Sequence, residues 1–487
     1  MADTRNITNA VNRGLAWSGL ASSMVWILDI VANVIILALW ISPEEYGIAA
    51  LAITIFPILD LAADLGLSAA IIQRDDHSPG KLSTVFWLNF LISLVIFATI
   101  WLALGPALSS LHGQPIVGLM LTVYGIKPVW QNIYFVPIAM MRKELRFKEI
   151  SVVRTLANFI EFSAKVAFAA TGFGIWCFVL GPLCREVCYS IGIQLCHPWR
   201  PRLVLRIREA LPWITFGLKS TAHQILFHIY TNVDYQIVGY YFGPEANGFY
   251  RLAYDIVLEP CRMIGLMLHQ VALAAYSKLR HVRDKLIDQL VSFTRLSLVV
   301  MLGFLCIIFV ATEDALGSLW GERWIPATDA ARILCLVGVL RALSFVIPPL
   351  LDGLGRPGLT LIYTSVASVV LPSFFFVGAH FFGHTYNYLA VAWAWALGYP
   401  VAFAVLAVLA LKLLHLRAID YLRRVMGIPG CALIAVGVGL LARWQGDSLP
   451  RLVRLLLVTA VIVATFLTTL AYWQKISPRS IYRAIKG

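Results

Sequence analysis

The sequence predicts an all-α protein that crosses a membrane about fourteen times. Of its 487 residues 60% are hydrophobic and only 13% are charged. The mean hydropathy of +0.79 is far above that of a soluble globular protein. The apolar stretches recur at the length of about 20 residues that a membrane helix requires. No polar stretch between them is long enough to fold as a soluble domain, which excludes an extramembranous catalytic domain.

The crossings form two groups of six followed by a pair. We expect them near 15–39, 46–71, 82–104, 116–140, 151–171 and 175–195, then near 210–238, 248–276, 290–310, 330–351, 359–382 and 389–414, and finally near 428–441 and 452–473. The predicted division is an N-terminal six-helix lobe with a basic linker (1–209), a C-terminal six-helix lobe (210–425), and an additional helix pair with a basic tail (426–487).

The net charge of +13 is explained by the loops rather than by nucleic-acid binding. If the N-terminus is cytoplasmic, 25 of the 39 Lys and Arg residues lie in inside segments and 4 in outside segments. This asymmetry is typical of the positive-inside rule and predicts that both termini are cytoplasmic. The other ten cations lie within apolar helices, where a charge usually faces a cavity or a partner.

A short turn is repeated at an offset of 201 residues. The segment 42–47, SPEEYG, recurs as 243–248, GPEANG, and each copy is followed by Leu-Ala. Each copy lies between the first and second helices of its six-helix group. Because six crossings return the chain to its starting side, we expect two parallel repeats related by an axis along the membrane normal.

The eighth predicted helix carries the most concentrated set of ionisable residues. Arg251, Asp255, Glu259 and Arg262 fall within an arc of roughly 80° at about 100° per residue. One interpretation is a cavity between two lobes in which cations hold an anionic substrate and carboxylates take up a coupling ion. The other is that Arg251 and Asp255 form an ion pair within the helix.

Other helices carry weaker sets of polar residues. The seventh has Lys219, His223 and Asp234 on one face, and the first and second have Asp29 and Asp60. In the fifth, an ion pair between Glu161 and Lys165 is the favoured interpretation. Lys127 and Arg341 are equally compatible with a cavity and with a structural role, whereas Arg185, Arg295 and Arg332 are expected to extend toward helix ends.

Three segments resemble bacterial polysaccharide transporters. They are 64–74, DLGLSAAIIQR, then 232–250, NVDYQIVGYYFGPEANGFY, and 320–324, WGERW. The resemblance is to the lipid-linked oligosaccharide flippases of the superfamily that also contains the MATE multidrug exporters. It implies a MATE-like fold, alternating access, and export of an undecaprenyl-diphosphate-linked repeat unit across the bacterial inner membrane for exopolysaccharide, capsule or lipopolysaccharide O-antigen synthesis. Membrane lipids, H⁺ or Na⁺, and the polymerase and export machinery are the implied partners.

The chemistry of such a substrate assigns roles to the intramembrane charges. A diphosphate is anionic, and guanidinium can engage its oxygens in a bidentate manner. The candidate substrate-binding residues are Arg251, Arg262, Lys219, Arg341 and Lys127. The candidate ion-coupling residues are Asp255, Glu259, Asp234, Asp29 and His223, of which His223 is also compatible with a hydrogen-bonded core role.

Two other functions were considered. A MATE-like multidrug antiporter shares the architecture, but cationic drugs require a more acidic or aromatic cavity. An integral-membrane glycosyltransferase or polymerase requires a substantial outer loop, whereas the longest outer loop, 312–329, is short, and we expect its Glu313, Asp314 and Glu322 to be solvated. The eight cysteines lack metal-binding spacing, so no metal or other cofactor is predicted.

Overall fold

The computed structural model describes residues 24–64, 67–68, 71, 78–204 and 206–475 of the chain. The side chains of residues 63–64 and 207–223 lie outside this description. The start of the first predicted crossing, most of the motif at 64–74 and the basic tail after residue 475 also lie outside the described residues.

The chain is helical in every described span that the sequence predicts to cross the membrane. We number these helices α1 to α14 in chain order: Met24–Leu39, Pro43–Ala62, Pro79–His112, 115–143, Phe147–Ala170, Gly174–Cys196, 207–242, 244–279, Arg283–Trp320, Ala327–Gly353, Pro357–Tyr386, Leu389–Leu413, Gly427–Gln445 and Arg451–Trp473. No strand occurs within the described part of the chain.

Ten described segments are long and apolar enough to cross a membrane by themselves, and one of them contains both α7 and α8. The other three have identifiable features. α1 is described only from residue 24, α4 is interrupted at Gly125, and α5 carries Arg154, Glu161 and Lys165 in its central part. The predicted all-α fold with about fourteen membrane helices is therefore confirmed.

Both copies of the repeated turn lie where one helix gives way to the next. Ser42 caps α2: its hydroxyl accepts a hydrogen bond from the Glu45 amide at 3.2 Å, and the Glu45 carboxylate accepts one from the Ser42 amide at 2.9 Å. At the second copy Gly243 has φ 84° and ψ 177°, a conformation that breaks the continuous helix Ile207–Leu279 and is accessible mainly to glycine. Pro43 and Pro244 then occupy early positions of α2 and α8.

The chain divides into two compact units, Met1–Glu245 and Ala246–Gly487. In the first unit, Gly192 of α6 lies directly against Val153 of α5, and this glycine allows the two helices to pack closely. A Cβ added at Gly192 would lie only 2.4 Å from the Val153 side chain. In the second, α9 packs against α10, α13 and α14, and a Cβ added at Gly439 of α13 would lie 2.6 Å from Ile462 of α14. Small residues at such crossings allow helix backbones to approach where lipid supplies no hydrophobic driving force.

Candidate functional site

Lys127 forms a buried charged cluster in the first unit. The side chain on α4 is 2% exposed, and its Nζ lies 2.6 Å from Asp60 Oδ2 on α2. Nζ also donates to the Tyr124 hydroxyl at 2.8 Å, which itself donates to Asp60 at 3.1 Å. Asp60 Oδ1 is buried and has no hydrogen-bond partner among the residues that the structure describes. Lys127 is thus held by a carboxylate and a phenol, as a buried ammonium requires.

A larger network joins α1, α5 and α6 of the same unit. Lys165 Nζ lies 2.7 Å from Glu161 and 3.3 Å from Asp29, so the ion pair favoured from the sequence is confirmed. Arg185 contacts Glu161 at 3.4 Å and Glu186 at 3.3 Å. The expectation that Arg185 extends to a helix end was wrong, because it lies in the middle of α6 with two carboxylates within reach.

Sequence reasoning missed Glu186 altogether. Its side chain is 2% exposed and accepts a hydrogen bond from the Tyr134 hydroxyl of α4. The available signal was the adjacent pair Arg185-Glu186 within an otherwise apolar helix, where two charges rarely occur without a partner. These described groups of the first unit comprise four carboxylates and three cations, a formal excess of one negative charge: Asp29, Asp60, Glu161 and Glu186 with Lys127, Lys165 and Arg185.

Asp234 on α7 is fully buried, and its Oδ1 accepts a hydrogen bond from the Tyr235 amide at 3.1 Å. The neighbouring Gln236 lies 3.0 Å from the His112 ring and donates to the Leu51 carbonyl at 2.9 Å. Lys219 and His223 lie in the helical part of α7, but their side chains fall outside the described residues. The predicted face of α7 is therefore seen only at its C-terminal half.

The four ionisable residues of α8 form two ion pairs within the helix. Arg251 Nε donates to Asp255 Oδ2 at 3.0 Å, and Arg262 Nε donates to Glu259 Oε2 at 2.9 Å with a second bond from its Nη2. All four side chains remain 18–33% exposed. These arginines are thus paired, yet each keeps part of its surface accessible, unlike Lys127.

Arg341 lies in a box of aromatic rings. Its side chain on α10 is 5% exposed, and its guanidinium carbon lies 5.0 Å from the Trp395 ring centre and 5.7 Å from those of Tyr254 and Tyr399. Cation–π contacts of a desolvated guanidinium contribute about 2 kcal/mol each. The sequence signal was the cation itself, while the rings come from α8 and α12. Arg251, Arg262 and Arg341 outnumber Asp255 and Glu259, so this cluster has a formal excess of one positive charge.

A third cluster contradicts the expectation that Asp314 is solvated. Its side chain near the end of α9 is fully buried and lies 3.0 Å from Arg443 Nε of α13 and 2.5 Å from Arg454 Nη2 of α14. Arg443 also contacts Glu313 at 2.7 Å. A carboxylate removed from water must be paired and hydrogen-bonded, and here two guanidiniums do this. We call this group, Asp314 with Arg443 and Arg454, the carboxylate clamp.

The solved structures similar to this one show which fold the chain has. The lipid II flippase MurJ in an inward closed conformation matches with a TM-score of 0.72 at 14% identity, covering 94% of this chain and 98% of that one. An inward-facing MATE multidrug transporter of the MOP superfamily matches with a TM-score of 0.62 at 20% identity, covering 80% and 94%. The chain therefore has the fold of this class of polytopic membrane proteins, and the MATE-like prediction is confirmed.

The sequence comparisons give the family. Residues 36–329 match the family model described as polysaccharide biosynthesis protein, so the chain belongs to that family. The teichuronic acid biosynthesis protein TuaB of Bacillus subtilis (strain 168) is 22% identical over 446 residues, 89% of this chain and 90% of TuaB. The lipopolysaccharide biosynthesis protein WzxC of Escherichia coli (strain K12) is 25% identical over 350 residues, 70% of each. The succinoglycan biosynthesis transport protein ExoT of Rhizobium meliloti (strain 1021) is 24% identical over 347 residues, 71% of this chain and 70% of ExoT.

Proposed function

We propose that this chain is an inner-membrane flippase that moves an undecaprenyl-diphosphate-linked oligosaccharide from the inner to the outer leaflet during surface polysaccharide synthesis. The observation that carries the proposal is the pair of partly exposed arginines, Arg251 and Arg262, on a membrane helix of a polysaccharide biosynthesis protein. It is supported by the similarity to ExoT, a succinoglycan biosynthesis transport protein, and to MurJ, a lipid II flippase.

The chemistry of the substrate explains why exposed arginines are needed. The diphosphate and sugars of the head are hydrophilic, whereas the polyprenyl tail can remain in lipid, so only the head requires polar partners on the way across. Arg251 and Arg262 can each exchange a hydrogen bond to a carboxylate oxygen for one to a phosphate oxygen, because the planar guanidinium fits both anions in the same bidentate manner. Lys219 is a further candidate, whereas Arg341 and Lys127 are weaker ones because aromatic rings enclose the first and Asp60 pairs with the second.

Ion coupling is part of the same proposal. The first unit holds one more carboxylate than cations in its described network, so uptake of one H⁺ or Na⁺ would neutralise it. Asp29 is the candidate ion-coupling residue of this network, because 47% of its side chain is exposed and an ion can reach it. Asp255, Glu259 and Asp234 are the other carboxylate candidates, and His223 is a further titratable one.

The test replaces Arg251 and Arg262 together by Gln in the cell that makes the polysaccharide. We expect the lipid-linked glycan to accumulate in the inner leaflet and surface polymer to fall at least tenfold, because phosphate contacts are lost. In proteoliposomes, flipping of the same lipid is measured with and without H⁺ and Na⁺ gradients, which identifies the coupling ion.

A matched control and a charge swap separate substrate binding from helix stability. Arg424→Gln removes an exposed arginine paired with Asp288 at 3.0 Å and should leave flipping unchanged. Exchange of Arg251 and Asp255 keeps the ion pair but moves the cation by one helical turn. If the swapped protein flips at the wild-type rate, the pair is structural and the substrate role of Arg251 is refuted.

A further inference from the structure

A cavity of about 680 Å³ opens in the first unit between the central part of α4 and the C-terminal end of α6, where the basic linker begins. Its walls are apolar: Trp130 and Ile133 of α4 and Ile191 and Leu195 of α6, all of them exposed. Leu195 is 78% exposed. On a membrane helix such side chains face lipid tails, so the cavity is continuous with the surface that acyl chains cover.

The polar rim of this cavity is formed by the linker residues Pro198, Trp199 and Arg200. Gln194 fixes the rim, since its Oε1 accepts from the Trp199 amide at 3.2 Å and its Nε2 donates to the Ile133 carbonyl at 2.5 Å. The Trp199 ring packs against Phe86 of α3 at 5.6 Å between ring centres. The rim is therefore built into the packing of α3, α4 and α6.

Hydrogen bonds from α3 hold the next part of the linker. Trp87 Nε1 donates to the Arg202 carbonyl at 2.8 Å, and the Arg202 amide donates to Ser83 Oγ at 2.9 Å. The Arg206 amide donates to Thr84 Oγ1 at 3.1 Å. These bonds replace the regular backbone partners that an extended segment lacks, which keeps Arg200 at a defined place on the rim.

The positive charge of Arg200 at the rim favours a lipid with an anionic headgroup. Arg200 is exposed and makes no hydrogen bond or ion pair with any residue in the described part of the chain. Basic pockets beside membrane helices on the cytoplasmic side bind anionic lipid headgroups. The volume lies within the range of about 300–1,000 Å³ that is typical of sites for one small molecule, and it can hold a phosphoglycerol head.

We infer that this cavity binds one anionic phospholipid of the inner leaflet, with the phosphate at Arg200 and the acyl chains along Ile191 and Leu195. The lipid would bridge the linker and α6 and so hold the start of the linker, which leads to α7 within the first unit. The inference uses the proposed orientation of the chain but not its proposed transport activity.

The test counts lipids retained by the purified chain. Protein in detergent is incubated with equal amounts of phosphatidylglycerol and phosphatidylcholine and examined by native mass spectrometry. We expect one phosphatidylglycerol per chain, about fivefold weaker retention for Arg200→Gln, and near wild-type retention for Arg200→Lys. Because Arg200 is exposed, these variants should fold normally.

The control is Arg356→Gln, which removes another exposed arginine on the predicted cytoplasmic side and should retain the lipid as the wild type does. Equal retention of the two phospholipids, or an equal loss in Arg356→Gln and Arg200→Gln, would overturn the inference in favour of general surface attraction. Preferential retention of added undecaprenyl diphosphate that depends on Arg200 would overturn it in favour of a substrate site. These retention measurements do not require transport, so a failed flipping assay would refute the proposed function without changing the result for this cavity.

Discussion

Individual charges in this membrane protein fall into two kinds, those enclosed by partners and those left partly accessible. Lys127 and Arg341 belong to the first kind, with 2% and 5% exposure, while Arg251 and Arg262 belong to the second. A charge at mid-membrane costs about 2.5 kcal/mol or more, so every one of them needs compensation. The second kind can exchange a protein partner for a ligand without first being uncovered, and this distinction ranks the proposed substrate-binding residues.

The ion pair between the enclosed Lys127 and the 31% exposed Asp60 leads to a prediction about stability. Lys127→Met leaves a carboxylate with a buried oxygen and no cation, and we expect a loss of about 3 kcal/mol in the free energy of unfolding. The double variant Lys127→Met with Asp60→Asn should recover most of this loss, because no unpaired charge remains. Chemical unfolding in detergent measures both variants. Wild-type stability of the single variant would contradict the assignment.

At the scale of helices, the carboxylate clamp links α13 and α14 to α9 within the second unit. The sequence marks the last two helices as additional to the repeat and predicts solvated acids in the outer loop 312–329. In the structure, Asp314 of α9 binds one arginine from each of them. The short helix Ala418–Val425 before α13 adds a second attachment, since the Tyr421 hydroxyl lies 2.8 Å from Thr294 of α9.

Asp314→Asn should loosen this helix pair. The substitution removes the charge that compensates two guanidiniums, so we expect a lower unfolding midpoint and faster proteolysis of the turn between α13 and α14. Asp447→Asn is the matched control: it removes the other carboxylate of Arg454, but that side chain is 86% exposed and contributes little. Equal proteolysis rates for the two variants would argue against a clamp.

At the scale of the whole molecule, the distribution of cations in the loops predicts the orientation in the membrane. The positive-inside rule predicts that the turn at Glu245 is outside and the linker at Arg206 is inside, with both termini cytoplasmic. Both residues are exposed in the structure, so each can be labelled without unfolding.

Glu245→Cys and Arg206→Cys test this orientation in a background without the eight native cysteines. We expect a membrane-impermeant maleimide added to intact cells to label position 245, and to label position 206 only after the membrane is opened. The reversed pattern would refute the orientation and, with it, the leaflet assigned to the lipid cavity. Surface polysaccharide measured in the same cells shows that each variant is inserted and active.

The sequence by itself determined the approximate number and the order of the helices, and the family, whereas helices such as α3 and α9 extend well beyond the predicted crossings. A membrane helix satisfies its backbone hydrogen bonds internally, so hydropathy along the chain is sufficient to find it. Only the tertiary structure decided the partners of the charges, because those lie far apart in sequence. Lys127 and Asp60 are separated by 67 residues, Arg341 and Tyr254 by 87, and Arg454 and Asp314 by 140. The pairs four residues apart, such as Glu161 with Lys165, were predictable because one helix brings both side chains to the same face.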